Sequence, residues 1–436
     1  MASEILYSWG PGESRLALVR DGRLIDLAVI RPDLLAGAVV LGRVVELAPK
    51  MGAVFVDIGQ DKPGFLQGQK GLTQGQAVLV QVKADAQGLK GATLTAEVVL
   101  SGRYMAFTPM HEGLSVPRKL AEDRRLMLSE RLAVLMQDGE GVVARLHAVN
   151  ADADALAADL RILRAQWAEV TEGRHAASAP AVLWRPDPLD RMLSDHPGVS
   201  RVLVDDDLAF AQAQARLGAL VERYRDGSVF ALYDTEDAVA ACFDPVVPLA
   251  CGGRVTIQHT AALTAIDVDS GSAQAVEANQ QAVSVIARQL RLRNVAGQIV
   301  VDFVSAGGRG AMMKLLAALK QAVSTDPTAT HVIGASPLGL VEMTRERRGP
   351  SLADLMVENA VIPSAEACAL RALRHVVSEA RHRPGRALAL LVAPDVATIL
   401  HGRPQALAEL EARLGRKTAV RGETGRARDD IAVVEA

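Results

Sequence analysis

The stretch LTAIDVDSGS, residues 263–272, places two carboxylates two positions apart in what otherwise reads as a buried strand. Side chains alternate between the faces of a strand, so Asp267 and Asp269 are predicted to share one face while Val268 takes the other. A charge inside an apolar strand is costly unless it is paired, hydrogen-bonded or bound to a metal. These acids are therefore expected to have a specific role, and the alternative is that they cap turns at strand ends.

A second strand, GQIVVDFVS at residues 297–305, carries one more acid, Asp302, after an apolar run. Because neighbouring strands lie about 4.8 Å apart, we expect three carboxylates from two adjacent strands to converge on one point. Hard oxygen ligands of this kind suit Mg²⁺ or Mn²⁺. The pattern predicts a metal site of the type used in phosphoryl transfer.

The segment around these acids is more basic than the chain as a whole. The 436 residues carry a formal net charge of −3, yet residues 288–348 contain nine basic and four acidic residues. This local excess fits an anionic ligand near the acids, and the alternative is a solvated helix face. The basic residues are Arg288, Arg291, Arg293, Arg309, Lys314, Lys320, Arg345, Arg347 and Arg348.

Composition limits the class of protein. The length suggests two to four domains, and 49% hydrophobic with 23% charged residues indicates a soluble globular protein. The three cysteines have no C-x-x-C spacing, so we expect neither a disulfide framework nor a cysteine zinc site. We also expect no signal peptide and no membrane span, and hence a cytoplasmic location.

Periodicity gives a coarse map of the elements. A hairpin around a D-G turn is followed by short alternating strands, which predict a small barrel or sandwich. Helical patterns begin near Glu122, and a looser segment at residues 172–188 predicts a domain boundary. A helix is expected over residues 209–224, and an amphipathic helix over residues 275–294 lies between the two acid-bearing strands. The pattern of the C-terminal residues predicts a small α/β unit.

Three segments, TAIDVDSGS, IARQLRLRNVAGQIVVDF and SPLGLVEMTRER, resemble the catalytic core of the ribonuclease E/G family. GRVVELAPKMGAVFVDIGQDKPGFL is similar to that family's S1 domain, and the likeness extends over almost the whole chain. The resemblance implies an α+β/α/β multidomain fold. Its parts are expected to be an RNase H-like region at 1–34 and 178–245, an inserted S1 (OB-type) RNA-binding barrel at 35–100, a 5′-sensor-like region at 101–177, a DNase I-like catalytic domain at 246–350, and a linker with a small C-terminal domain at 351–436.

The family resemblance also implies an activity and a set of site residues. It implies a Mg²⁺-dependent endoribonuclease that cleaves single-stranded RNA and leaves a 5′-phosphate on the downstream product. The residues expected to carry it are Asp267 and Asp302 as metal ligands, Asp269 at a third catalytic position, Phe55, Phe65 and Lys90 as RNA contacts, and Gly102 and Arg145 in a 5′-monophosphate pocket. The arginines Arg288 and Arg291 are added as RNA contacts on local charge alone. Both phenylalanines could instead belong to the core.

The chain departs from the family pattern at several positions. Position 269 is usually Asn, and an ionised carboxylate cannot donate the hydrogen bond that an amide can. At three 5′-sensor positions Ala106, Leu146 and Ala329 replace a valine, a threonine and an arginine, so we expect weak or absent monophosphate recognition. Cys368 alone follows the catalytic segment, and one thiol cannot form the family's shared zinc site. We expect no zinc, with homodimerisation by other contacts still possible.

The function hypothesis is therefore a cytoplasmic endoribonuclease of rRNA or mRNA processing or decay. The changes at position 269 and in the 5′-sensor motivate an alternative, a non-catalytic RNA-binding member of the same family. A third reading, a metal-dependent phosphatase or DNA nuclease, rests on the acids alone and leaves the S1-like segment without a role.

Overall fold

The computed structural model describes residues 3–68, 71–87, 90–359 and 362–436. The chain divides into two compact units, Met1–Pro32 with Val199–Ala436, and Asp33–Gly198. Within the part of the chain that is described, no helix is long and apolar enough to cross a membrane.

The first unit begins with an antiparallel meander. Its strands are β1 (Ser3–Ser8), β2 (Ser14–Arg20) and β3 (Arg23–Ile30). Asp21 and Gly22 between β2 and β3 both have positive φ, at 49° and 73°, which a tight hairpin turn of this twist requires. The hairpin expected at the D-G dipeptide is confirmed.

The second unit opens with a closed five-stranded barrel. Its strands are β4 (Val39–Ala48), β5 (Ala53–Asp57), β6 (Gly64–Gln67), β7 (Ala77–Ala84) and β8 (Thr93–Thr95). The order β4-β5-β6-β8-β7 closes because β7 pairs back with β4. Val40, Val56 and Val80 are fully buried inside it. The predicted small barrel is confirmed, and it is consistent with an S1-like domain.

A smaller sheet and three helices complete the second unit. They are β9 (Leu100–Ser101), β10 (Met105–Phe107), β11 (Gly113–Ser115), α1 (Glu122–Ala133), β12 (Gly141–Ala144), α2 (Ala153–Ala176), β13 (Ala181–Trp184) and α3 (Pro188–Asp195). The expectation of a looser segment at residues 172–188 is wrong, while the domain boundary expected there remains a prediction. There α2 continues to Ala176 and β13 pairs with β4, since Trp184 packs into the core beneath the helices.

The first unit resumes after residue 198 with its remaining elements. In chain order these are β14 (Arg201–Val204), α4 (Asp207–Leu217), β15 (Val221–Arg223), α5 (Thr235–Ala240), β16 (Val246–Pro248), β17 (Arg254–His259), β18 (Thr264–Asp269), α6 (Ala275–Leu292), β19 (Gly297–Asp302), α7 (Arg309–Val323), β20 (Thr330–Ala335), β21 (Val341–Arg345), α8 (Leu352–Met356), β22 (Val357–Asn359), β23 (Ile362–Pro363), α9 (Ala365–His382), β24 (Leu388–Val392), α10 (Pro394–His401), α11 (Pro404–Leu414), β25 (Ala419–Gly422) and β26 (Ala432–Glu435).

Three sheets of three or more strands organise the first unit, beside the two-stranded β22-β23. The meander extends to the order β15-β14-β1-β2-β3, with β14 parallel to both β1 and β15. The six-stranded sheet β16-β17-β18-β19-β21-β20 buries one face against α6 and α7, and β25-β24-β26 forms the C-terminal α/β unit. The helix expected over residues 209–224 is shorter, because Gly218 with φ of 58° ends α4 and the next residues form β15.

A buried charge network joins helix α9 to the start of β2. The Glu13 carboxylate is fully buried and accepts hydrogen bonds from Arg31, at 2.8 Å, and from Arg374 on α9. Burial alone would raise the pKa of the Glu13 carboxyl, but the guanidinium groups of Arg374, Arg31 and Arg15 hold that pKa below its usual range. The network fixes α9 on the N-terminal sheet.

Glu13→Gln is expected to lower the free energy of unfolding by about 3–5 kcal/mol at neutral pH, because it removes the buried carboxylate to which both guanidinium groups bond. The carboxyl pKa is lower in the folded state, so its stabilisation is present above the ordinary glutamate range and lost as the pH falls. The deficit of the variant relative to wild type should therefore shrink on acidification, measured by urea unfolding across the acid range.

The matched control is Glu435→Gln, which removes a surface carboxylate 3.9 Å from Arg386. Its effect should stay within about 0.5 kcal/mol, as for most surface substitutions. Equal losses of unfolding free energy in the two variants would show that the buried network stabilises the fold no more than an exposed ion pair does.

Candidate active site

Two aspartates lie side by side at the centre of the six-stranded sheet. Strands β18 and β19 run parallel, and their register pairs Asp267 directly with Asp302. Both side chains are exposed, while Ile266, Val268 and Val301 are buried on the opposite face beneath the helices. The expected alternation is confirmed. The expectation that the acids are buried is wrong, so no penalty for a buried charge arises here.

The third aspartate is engaged elsewhere. Asp269 pairs in register with Arg254 on β17, whose Nη2 donates to Asp269 Oδ2. Asp269 Oδ1 accepts a hydrogen bond from the Gly271 N–H at 2.8 Å. No group of three or more His, Cys, Asp or Glu side chains that could hold a metal is found among the described residues. The expected convergence of three carboxylates is therefore replaced by a pair and a separate ion pair.

Two glycine-containing turns set the position of Asp269. A Cβ on Gly253 would lie 2.5 Å from the Asp269 carbonyl oxygen, and a Cβ on Gly271 would lie 2.5 Å from the Gly252 oxygen. Gly271 also has φ of 56°, which side chains rarely allow. Only glycines permit this close approach of the two turns, so the end of β18 is held against the start of β17.

A buried asparagine holds the chain just after Asp302. Asn279 on α6 donates through Nδ2 to the Val304 carbonyl at 2.8 Å and accepts from the Val304 N–H at 3.1 Å. Neither Asn279 nor Arg254 was predicted from the sequence as a residue of the site. An amide on the apolar face of α6 was the available signal for Asn279. Arg254 lies outside the basic segment at residues 288–348, and only the strand register reveals its partner.

The donor set at the aspartate pair fits a hard divalent cation. Mg²⁺ is usually held by one or two carboxylates, with waters and substrate phosphate oxygens completing its coordination. Asp267 and Asp302 supply two exposed carboxylates from neighbouring strands. They are the residues that would hold the ion, and Asp269 is not required as a ligand.

The basic residues of the 288–348 segment largely serve the fold. Arg345 is buried and bonds Asp326 at 2.8 Å, while Arg293 is buried and donates to Gln289 at 2.7 Å. Arg288 is half-buried and donates to the Leu24 carbonyl at 2.6 Å, and burial lowers the pKa of its guanidinium. These three arginines therefore bind other parts of the protein and do not add to a cationic surface beside the acids. The Arg309 side chain lies outside the described part of the chain.

Helix α6 lies on the buried side of the sheet, opposite the acids. Arg288 and Arg291 are both half-buried on this helix. Their position on the covered side of the sheet does not support the RNA contacts expected from local charge.

The barrel presents a pair of aromatic rings on its outer surface. Phe55 and Phe65 pair in register across β5 and β6, with ring centroids 5.8 Å apart in an edge-to-face arrangement. Both rings are half-exposed and outside the barrel core, so the alternative of two core residues is not supported. Lys90 is exposed on the loop that leads into β8, the parallel neighbour of β6.

The two expected 5′-sensor residues have protein partners. A Cβ on Gly102 would lie 2.7 Å from the Asp159 carboxylate, which accepts hydrogen bonds from the backbone N–H groups of Arg103, Tyr104 and Met105. Arg145 lies 3.6 Å from Asp195 in an ion pair. Close packing against Asp159 thus explains the glycine at position 102, and Asp195 provides the counter-charge for Arg145.

Comparison with known proteins defines the class to which this fold and site belong. The model of the ribonuclease E/G family matches residues 99–348, which is more than half of the chain and includes the aspartate pair. The chain therefore belongs to the ribonuclease E/G family, a family of endoribonucleases. The resemblance found in the sequence is confirmed.

Individual relatives extend the likeness beyond the matched segment. The chain is 29% identical to ribonuclease G of Salmonella typhimurium and, to the same degree, to ribonuclease G of Escherichia coli K12, covering 97% of each protein and 97% of this chain. It is 32% identical to ribonuclease E of Nostoc over 78% of this chain and 55% of that relative.

Asp302→Asn is expected to raise thermal stability slightly in the absence of divalent cations. It removes a like-charge pair directly across neighbouring strands, which is destabilising by roughly 0.2–1 kcal/mol. Melting of both proteins in EDTA checks this, with Glu342→Gln as control because its neighbour on β19 is Val300. A clear loss of stability in Asp302→Asn would contradict the view that the acids repel each other.

Proposed function

We propose that this protein is a metal-dependent endoribonuclease that cleaves single-stranded RNA and leaves a 5′-phosphate on the downstream product. The observation that carries the proposal is the pairing of two exposed aspartates, Asp267 and Asp302, in a chain of the ribonuclease E/G family. We assign Mg²⁺, or alternatively Mn²⁺, to this pair on the chemistry of its oxygen donors.

The bound ion would supply Lewis acidity toward the scissile phosphate and lower the pKa of a bound water. The protein contributes positioning. The parallel register holds the two carboxylates together, and Asn279 fixes the backbone that follows Asp302. Because the acid face of the sheet is open while the other face is covered by helices, a polymer can approach the acids from solvent.

The outer surface of the barrel is the proposed RNA-holding site. Half-exposed aromatic rings stack on unpaired bases with about 1–3 kcal/mol per base, without reading the sequence. Phe55 and Phe65 offer such rings, and the exposed Lys90 offers a cation for the backbone. Single-stranded RNA fits this surface because its bases are free to stack.

The types of domain in the chain are also part of the proposal. The strand order β15-β14-β1-β2-β3 supports the RNase H-like region, and the helix-covered six-stranded sheet supports the DNase I-like domain. The five-part division, the cytoplasmic location and a homodimer without zinc remain predictions. Cys368 lies on α9 and is buried in the core of the C-terminal α/β unit, which is a sufficient structural role for this thiol.

A non-catalytic RNA-binding protein is the second candidate. The observation that favours it is Asp269, which stands at a position where the family resemblance implies Asn. This candidate predicts RNA affinity that falls steeply with salt and no cleavage. A phosphatase or DNA nuclease leaves the aromatic surface of the barrel unused, and family membership argues against it.

Wild-type protein with Mg²⁺ is expected to cut an internally labelled, A/U-rich single-stranded RNA, and the cuts should vanish in EDTA or in Asp302→Ala. Removing one of two carboxylates removes half of the protein's ligands to the ion. Glu342→Gln, on the same face beside Val300, should retain cleavage. RNA binding without cuts by the wild type would favour the second candidate, and DNA cut equally well would favour the third.

Cleavage should depend little on the chemistry of the RNA 5′ end, because Asp195 already pairs with Arg145. Oligonucleotides with a 5′-monophosphate and a 5′-hydroxyl should be cut at rates within about threefold, since a charge-assisted hydrogen bond of about 1.5 kcal/mol would give roughly tenfold. Asp195→Asn should increase the preference for the monophosphate by freeing the guanidinium. A large preference in the wild type would contradict this account.

A further inference from the structure

An ion pair lies next to the aspartate pair on the open face of the sheet. The register of β17 and β18 pairs Arg254 with Asp269, and the next pair on the same face is Thr256 with Asp267. Arg254 and Asp269 are both accessible, with side chains 57% and 37% exposed. A guanidinium therefore stands one step along the strands from the two carboxylates.

The hydrogen bonds leave Asp269 occupied and Arg254 largely open. Both carboxylate oxygens of Asp269 accept hydrogen bonds, one from Gly271 and one from Arg254. A guanidinium has five N–H donors, and the only hydrogen bond recorded for Arg254 among the described residues comes from one Nη2 atom. Its remaining donors are available to an anion from solvent.

We propose that Arg254 contacts a phosphate of the bound RNA and that Asp269 is a positioning residue that acts through Arg254. The inference rests on the proposed function of the aspartate pair. Guanidinium groups bind phosphate through two parallel hydrogen bonds, and an ordered carboxylate behind the guanidinium fixes its orientation.

The pair also explains why a carboxylate at position 269 is compatible with a cation site. An unheld arginine one step from Asp267 and Asp302 would be drawn to them and would compete with a divalent ion. Asp269 provides a nearer partner, and the Gly271 N–H holds Asp269 in place. The charges of Arg254 and Asp269 compensate each other. The net negative charge of the site therefore comes from Asp267 and Asp302 alone.

The first test measures RNA binding in EDTA, where it is independent of cleavage. The affinity of a labelled single-stranded RNA is followed by fluorescence anisotropy over a series of salt concentrations. Loss of one phosphate contact lowers the slope of log affinity against log salt by about 0.7 for single strands. Arg254→Ala should show this loss and Arg254→Lys should keep the slope.

Arg386→Ala is the matched control, since Arg386 is 68% exposed and lies near a carboxylate on the C-terminal unit. It should keep the wild-type slope. An unchanged slope in Arg254→Ala, or the same loss in Arg386→Ala, overturns the phosphate contact. Melting temperatures within about 2 °C of wild type, as expected for exposed ion pairs, confirm that the variants are folded.

The second test is a double-mutant cycle on the Mg²⁺ concentration that half-saturates cleavage. Asp269→Asn should raise this concentration when Arg254 is present, because the released arginine competes for the aspartate pair. The same substitution in an Arg254→Ala background should change it far less, which measures the coupling. Equal effects in both backgrounds would mean that Asp269 acts directly and would overturn its positioning role.

The two proposals fail in different ways. If the wild type binds RNA but never cuts it, while Arg254→Ala still lowers the salt slope, the nuclease proposal fails and the phosphate contact stands. If the wild type cuts RNA and the slope is unchanged in Arg254→Ala, the phosphate contact fails alone.

Discussion

The backbone pairing of β18 with β19 holds two like charges side by side, and the geometry of the candidate site depends on this pairing. Asp267 and Asp302 repel each other, yet the parallel register of β18 and β19 keeps them opposite. Slipping either strand by one residue would turn its apolar residues to solvent, so the core beneath α6 and α7 secures the register. The buried face thus stabilises an unfavourable arrangement on the open face, and the two carboxylates are already in position for a divalent cation.

The arginines of this chain divide into two populations that a net charge of −3 conceals. Arg345 and Arg374 are buried against Asp326 and Glu13, where they join elements distant in sequence. Arg254 is exposed beside the acids. Counting charges over residues 288–348 included the buried Arg345 and left out the exposed Arg254, because a count does not show which face of an element each side chain occupies.

Sequence periodicity predicted the elements that have one buried face and one exposed face. The acid-bearing strands, α6, the D-G hairpin and the barrel follow from alternation and turn residues alone. The errors fall where short-range pattern and tertiary pairing disagree, as at β13, whose four residues become a strand by pairing with β4. Burial of the acids was misjudged because an apolar run with one acid has the same sequence whether that acid faces a core or solvent. Arg254 and Asn279 required the register and the helix packing, which the sequence does not display.

Position 269 shows why a departure from a family pattern has to be interpreted together with its neighbours in space. Taken alone, aspartate in place of asparagine removes a donor and adds a charge, which argues for a damaged site. In the structure the carboxylate accepts two hydrogen bonds, and the cation that supplies one of them also balances the added charge. The same substitution without Arg254 would place a third negative charge beside Asp267 and Asp302. The aspartate is therefore weak grounds for assigning a non-catalytic role to the chain, because its electrostatic consequence depends on a residue fifteen positions earlier in the sequence.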